Sequence, residues 1–226
     1  MKNFLFLLIL LFSIKISSAQ VNELGFHIGG SNYIGDVGDE TYLLPNKLSL
    51  GAIYKWNFSN RIALRLSGSY IQLSDNDEKS KNAIRNARGF SFSNSVREMA
   101  LGIEFAYYDY SLMKEGWSST PYIILEVAGF NYHTVDKETT PGNYETVTST
   151  GFTVPFGIGY KTKIANHIGL NFETIVRYSF VDDLDYNNPA ISSLNFGNPN
   201  TKDWYITSGV NIVFGFGRRS CYSDVF

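Results

Sequence analysis

The chain has 226 residues, a formal net charge of −2 and an aromatic share of 15%. A near-neutral balance of this kind gives no electrostatic case for a nucleic-acid partner. With one cysteine, Cys221, the chain has no internal disulfide to form.

The first residues read as a cleavable export signal. Lys2 supplies a short basic region, Phe4 to Phe12 is an unbroken run of Phe, Leu and Ile, and Ser17, Ser18 and Ala19 offer small residues ahead of a cut before Gln20. Ser13 and Lys15 interrupt the run too early for a membrane anchor, which needs about 20 apolar residues. A lipoprotein would carry a cysteine after the cut, where Gln20 stands. The expected division is residues 1–19 as signal peptide, 20–217 as one domain and 218–226 as a tail. No later segment has the length and apolarity of a membrane helix, and the longest candidate, Tyr122 to Ala128, contains Glu126. A membrane location for the mature chain therefore requires a β-barrel, since lipid tolerates only backbones whose polar groups are all paired.

The rest of the chain alternates with period two, apolar against small or polar, in eight segments. Glu23–Ser31 turns Leu24, Phe26 and Ile28 one way. Leu48–Asn57 turns Leu50, Ala52, Tyr54 and Trp56 one way and Ser49, Gly51 and Lys55 the other. Ile62–Leu73 sets Leu64, Leu66, Gly68 and Tyr70 against Arg65, Ser67 and Ser69. Asn94–Tyr108 sets Met99, Leu101, Ile103, Phe105 and Tyr107 against Glu98, Ala100, Gly102, Glu104 and Ala106. Pro121–Thr134 opposes Ile123, Leu125 and Val127 to Glu126. Gly151–Thr162 opposes Phe152, Val154, Phe156, Ile158 and Tyr160 to Thr153, Gly157, Gly159 and Lys161. His167–Phe180 opposes Ile168, Leu170, Phe172, Val176 and Tyr178 to Asn171, Glu173 and Arg177, and Asp203–Gly217 closes the set with Trp204, Ile206, Val210, Ile212, Phe214 and Phe216 on one face. Pro155, which lacks a ladder donor, predicts a bulge or local irregularity in the sixth segment.

Short turns at Phe58–Arg61 and Lys163–Asn166, and a medium one at Asp109–Thr120, share one side with both chain ends. The connections Ser31–Lys47, Ser74–Ser93, Val135–Thr150 and Val181–Lys202 are long and polar, and the second, rich in charge, has room for a short helix. Short periplasmic turns and long external loops are usual for bacterial outer-membrane barrels. Trp56, Tyr70, Tyr107, Tyr160, Tyr178 and Trp204 fall near strand ends, as girdles at the lipid–water boundary do. The expected fold is all-β: a closed antiparallel transmembrane β-barrel of about eight strands.

The charges decide which face is inside. Lys55, Arg65, Lys161 and Arg177 share one face with Glu98, Glu104, Glu126 and Glu173, and the signs balance. Inside a soluble barrel this set would be a costly ionic core. Inside a membrane barrel of eight strands, whose interior only side chains fill, it is a paired plug, which predicts a barrel that conducts nothing.

Catalytic signals are missing. His27, His133 and His167 lie far apart in strand order, and there is no nucleophile elbow, metal-ligand spacing or phosphate-cradling glycine motif. Gly29 and Gly30 read as close strand packing, and Asp182, Asp183 and Asp185 as a solvated acidic loop. No enzyme activity and no cofactor are expected.

An ordered set of local patterns goes beyond a generic barrel: Glu23–Gly38 (ELGFHIGGSNYIGDVG), Leu44–Asn46 (LPN), Tyr54–Arg61 (YKWNFSNR), Glu104–Tyr110 (EFAYYDY), Thr120–Ile123 (TPYI), Pro155–Lys161 (PFGIGYK), Arg177-Tyr178, Asp203–Tyr205 (DWY) and a Cys-Tyr tail. This set resembles the PorG family, small outer-membrane barrels of the type IX secretion system. The resemblance implies a non-catalytic part of a protein-export machine, linked in many bacteria to gliding. Its partners would be outer-membrane lipid and a periplasmic ring built from a PorK/GldK-type lipoprotein and a PorN/GldN-type protein. An OmpX-like surface interaction or adhesion barrel, acting through the long loops, is the alternative. The tail from Arg218 and Arg219 through Cys221 and Tyr222 is the expected docking element, with a disulfide from Cys221 to a ring protein or, alternatively, a free thiol. Trp117, in the medium turn, is the second expected contact.

Overall fold

The computed structural model describes residues 21–38, 44–140, 142–197 and 201–217. The expected signal peptide and the tail residues Arg218, Arg219, Cys221 and Tyr222 lie outside the described residues. The strands are β1 (Val21–Ile34), β2 (Lys47–Asn57), β3 (Ile62–Asn76), β4 (Ser91–Ala106), β5 (Ser119–Thr140), β6 (Asn143–Ala165), β7 (Ile168–Ser179) and β8 (Trp204–Gly217). They form one closed ring in chain order. Every neighbouring pair is antiparallel, and β1 closes on β8 from Val21↔Gly217 to Ile34↔Trp204. A 3-10 turn at Asp77–Lys79 and a short helix α1 (Ala83–Arg88) sit between β3 and β4. Asn82 caps α1 by accepting the Ile84 N–H, and Gly89 ends it in the left-handed conformation at φ 63°.

Period-two alternation becomes alternation of burial, inverted relative to a water-soluble protein. On β5, Tyr122 and Ile124 are buried while Ile123, Leu125 and Val127 are 57–65% exposed. The same holds for Phe26 and Ile28, for Met99, Leu101 and Ile103, and for Phe152 and Ile158. Lys55, Arg65, Glu104 and Glu126 are at most 2% exposed. A continuous apolar band around a charged interior has no stable arrangement in water, where exposed apolar patches rarely exceed a few hundred Å². In hydrocarbon it is the expected one. No described helix is long and apolar enough to cross a membrane; the strands make the crossing. Aromatic pairs mark both edges of the band: Trp56–Phe58 and Tyr107–Tyr108 at the short-turn end, Tyr178–Trp204 at the other.

One expectation about the strands requires correction. The third long connection is not a loop. β5 and β6 continue as a hairpin through Lys137↔Glu145 and Glu138↔Tyr144 to Thr140↔Asn143, with register shifts at Val135/Lys137 and Glu138/Thr140. These residues are exposed on both faces, so no apolar alternation advertises the strands. The irregularity expected at Pro155 is present as a gap in the ladder and not as a bulge. The register is the same at Leu125↔Phe156 and Ala128↔Thr153, and only the intervening pairs are not made. On its other side Pro155 pairs in regular register with Arg177.

The interior is layered. At the long-connection rim an aromatic layer of Tyr33, Phe92, Phe130, Tyr132 and Tyr205, with Ile71, Leu73 and Val96, is closed from above by Val37 and Leu184. The middle is ionic. At the short-turn rim the segment 107–118 folds back over the mouth, where Tyr110 and Leu112 pack on Val213. Tyr110 N–H donates to Asn60 O and His167 N–H to Leu112 O, at 3.0 and 3.3 Å. The Gly29–Gly209 pair in β1 and β8 matches the expected close packing: a Cβ on Gly29 would lie 2.7 Å from Gly209 Cα.

Candidate functional site

The eight charges assigned to the interior come together in mid-barrel, a separate pair, Arg177 and Glu98, beside a network of six. Arg65, from β3, is its hub. Its Nη1 and Nη2 donate to Glu173 Oε2 and Oε1 at 2.9 and 2.8 Å, the two-pronged geometry that suits guanidinium and carboxylate. The same guanidinium lies 3.3 Å from Glu126 and 3.5 Å from Glu104. Glu104 also receives Lys55 at 2.5 Å and Lys161 at 2.7 Å. Arg177 pairs with Glu98 at 2.7 Å and donates to Thr207 Oγ1. The Tyr205 hydroxyl donates to Glu98 Oε2, and that of Tyr122 to Glu173 Oε2.

The inward face carries further members that alternation alone does not single out. Asn57 donates to Glu23, His27 Nδ1 meets Asn211 Oδ1 at 2.6 Å, and Lys163 donates to the Lys114 carbonyl. Lys161 lies 4.6 Å from the Tyr110 ring centroid, which ties the plugging turn to the charge network. Each of the eight charges has an opposite within 4 Å. Among the described residues no group of three His, Cys, Asp or Glu is placed to hold a metal ion. The arrangement fills the lumen and binds the strands to one another.

The long-connection rim has its own polar structure. Asp77, buried, receives Arg88 Nε at 2.5 Å and the Gly38 and Phe90 N–H groups. Burial disfavours its charge, but the Arg88 hydrogen bond and the two amides outweigh this and lower its pKa. It thereby clamps the β1–β2 connection to the β3–β4 one. Asp203 accepts from the Tyr33 hydroxyl and from Leu184 N–H, and Asp185 accepts from Asn187 N–H. Burial, reinforced by Asp36 and Asp182, pushes Asp185 up to about 7 against the opposing hydrogen bonds of Asn187 and Tyr33, and Asp203 is raised as well.

At the opposite rim Trp117 is 77% exposed. It lines a hollow of about 200 Å³ with Asn60, Asp109, Lys114 and Glu115. Nothing in the alternation points to Tyr110 and Leu112 as a plug, because they follow the last alternating residue of β4 in a segment without periodicity.

A family model described as "Domain of unknown function (DUF6089)" matches residues 2–225. No curated protein matches the chain in sequence. Among solved structures, a major outer membrane protein from Thermus thermophilus superposes with a TM-score of 0.51 at 13% identity, covering 88% of this chain and all of that one. The N-terminal β-barrel domain of Pseudomonas aeruginosa OprF gives 0.45 at 12%, covering 88% and 98%. Ail, the attachment invasion locus protein of Yersinia pestis, in complex with the heparin analogue sucrose octasulfate, gives 0.45 at 12%, covering 87% and 99%. At such identities the first of these speaks to the fold alone.

Proposed function

We propose that this chain, which belongs to the DUF6089 family, is a non-catalytic outer-membrane anchor of a type IX protein-export machine, with its short-turn rim and both ends in the periplasm. A barrel filled by paired charges and closed at both mouths has no path for a solute, so its work lies on its rims. The observation that carries the reading is the plugged short-turn rim. Tyr110 and Leu112 fix the turn 107–118 against the barrel, and Trp117 is left bare beside Lys114 and Glu115. A large exposed aromatic on a fixed support is the kind of anchor that protein interfaces use. The resemblance to the PorG family supplies the partners, a PorK/GldK-type lipoprotein and a PorN/GldN-type ring protein.

Purification of the native chain in mild detergent tests this. Stoichiometric recovery of both ring proteins is expected, weakened by Trp117→Ala and by removal of residues 218–226. Recovery of the barrel without them rejects the reading. The covalent version predicts a high-mass adduct on non-reducing gels that Cys221→Ser removes.

A surface-interaction barrel is the second reading, favoured by the β5–β6 hairpin. This hairpin runs past the last β4–β5 pair, Arg97↔Asn131, and is unpaired with β7 before Thr153. Shortening it between residues 136 and 147 abolishes surface binding under this reading and leaves protein export unchanged under the first.

A further inference from the structure

We propose that the outer wall at the tops of β2 to β5 is a binding site for a phosphorylated glycolipid headgroup of the outer leaflet, a proposal that rests on the orientation given above. On β3, β4 and β5 the outward positions change from aliphatic to polar at one level: Leu66 and Tyr70 give way to Gln72, Leu101 and Met99 to Arg97 and Ser95, and Leu125 and Val127 to Asn131 and His133. Lys47, the exposed first residue of β2, has the inward parity of Ser49 and sits at the strand end beside them. The change marks the edge of the hydrocarbon, where Lys and Arg extend their heads toward the phosphate layer.

Register brings the basic residues together. Gln72 pairs with Ser95, Tyr70 with Arg97, and Arg97 with Asn131. Lys47 and His133 therefore flank Gln72, Ser95 and Arg97 from either side. A groove of about 230 Å³ lined by Lys47, Tyr70, Gln72, Ser95, His133 and Tyr186 runs between them. It continues into a larger hollow of about 640 Å³ that shares Lys47 and Tyr186.

The floor is built. The Asn94 amide donates to His133 O and Leu184 O and accepts from His133 N–H, and the Tyr186 hydroxyl donates to Ser93 O. Among the described residues Lys47, Arg97 and His133 have no carboxylate partner. Asp75, on the wall of the larger hollow, already accepts from Asn76 N–H. The outward faces of β1, β6, β7 and β8 carry no Lys or Arg at all among the described residues. Positive charge is thus confined to one sector of the wall, with amide and hydroxyl donors beside it, and a general affinity for lipid would not concentrate it so. Phosphate at the membrane surface complements the charge, and Tyr70 offers a ring at acyl-chain level.

The test uses the full-length protein in neutral phosphatidylcholine nanodiscs. The probes are lipid A bearing both phosphates and the same lipid dephosphorylated, and binding is read by native mass spectrometry. The wild type should retain the bisphosphorylated lipid and bind the dephosphorylated one far more weakly. Lys47→Gln with Arg97→Gln should weaken retention about 25-fold, at about fivefold per surface charge. The charge-keeping pair Lys47→Arg with Arg97→Lys should keep it, as should Lys137→Gln on the hairpin. Equal affinity of wild type and the Gln pair, or equal affinity for both lipids, overturns the proposal. Displacement by an equimolar amount of inorganic phosphate would make this a free-phosphate site and overturns the lipid assignment. Where the Gln pair fails to fold, wild-type binding unchanged between low and high salt overturns it instead. Orientation is read separately: in a Cys221→Ser background, Thr139→Cys should be labelled on intact cells by an impermeant maleimide. Absence of label rejects the orientation without touching binding in nanodiscs.

Discussion

Arg65→Gln removes a guanidinium that touches three buried carboxylates: Glu173 by two hydrogen bonds at 2.8 and 2.9 Å, Glu126 at 3.3 Å and Glu104 at 3.5 Å. Glu104 keeps Lys55 and Lys161, and Glu173 keeps the Tyr122 hydroxyl and His27 at 3.9 Å. Glu126 retains only a long bond from Ser67 at 3.4 Å. Two carboxylates at most 5% exposed are therefore left short of compensation. Removing one partner of a buried pair costs about 3–5 kcal/mol, a large part of the roughly 5–15 kcal/mol that holds a domain folded. Equilibrium unfolding in urea from lipid vesicles, followed by tryptophan fluorescence, measures the loss. Adding Glu173→Gln to the same chain should return part of it, because the stranded charge goes with its partner, and a double-mutant cycle should show coupling of about 0.5–3 kcal/mol. A loss below about 1 kcal/mol would refute the reasoning, because that is the scale of an exposed pair. Lys137–Glu145, with side chains 61% and 53% exposed, is such a pair.

Reconstituted in planar bilayers, the wild type should show no conductance steps, and steady open-channel currents would contradict a sealed lumen. Asp77→Asn should release the clamp between the first two long connections and speed hydrogen exchange around residues 35–38 and 83–90. In the wild type the clamp holds above the ordinary carboxylate pKa of about 4 and weakens as pH falls through the lowered value of Asp77. Asp185 behaves oppositely. Its pKa is raised to about 7, so the closed β7–β8 connection is most stable below about pH 4, where folded and unfolded chains are both protonated. It loses that support as pH rises through about 7. Exchange in residues 181–197, corrected for intrinsic rates, should be faster at about pH 8 than at about pH 5, on either side of that value, and Asp185→Asn should flatten the difference.

Periodicity is a local property, so it is readable residue by residue. Each strand carries its own inside and outside, and the position of Arg65 or Glu173 on the polar face follows from counting by twos. Which face turns inward is readable too, since four acids and four bases on one face suit a lipid-embedded barrel and no soluble one. The extension of β5 and β6 past residue 135 escapes the same count because strands wet on both faces owe nothing to alternation. Counting also cannot pair charges. It puts Arg65 inside, but that this side chain meets Glu173, Glu126 and Glu104 depends on stagger and closure, which bring residues 39 to 108 positions apart within 4 Å. The fold of 107–118 into the mouth, and the meeting of Lys47, Arg97 and His133 on one wall, likewise arise from contacts between strands. The face that each strand shows to lipid is thus written in the chain, because that choice is made within a few residues. What closes the barrel, and which charges meet inside it, exists only in the folded ring, because both depend on register accumulated around all eight strands.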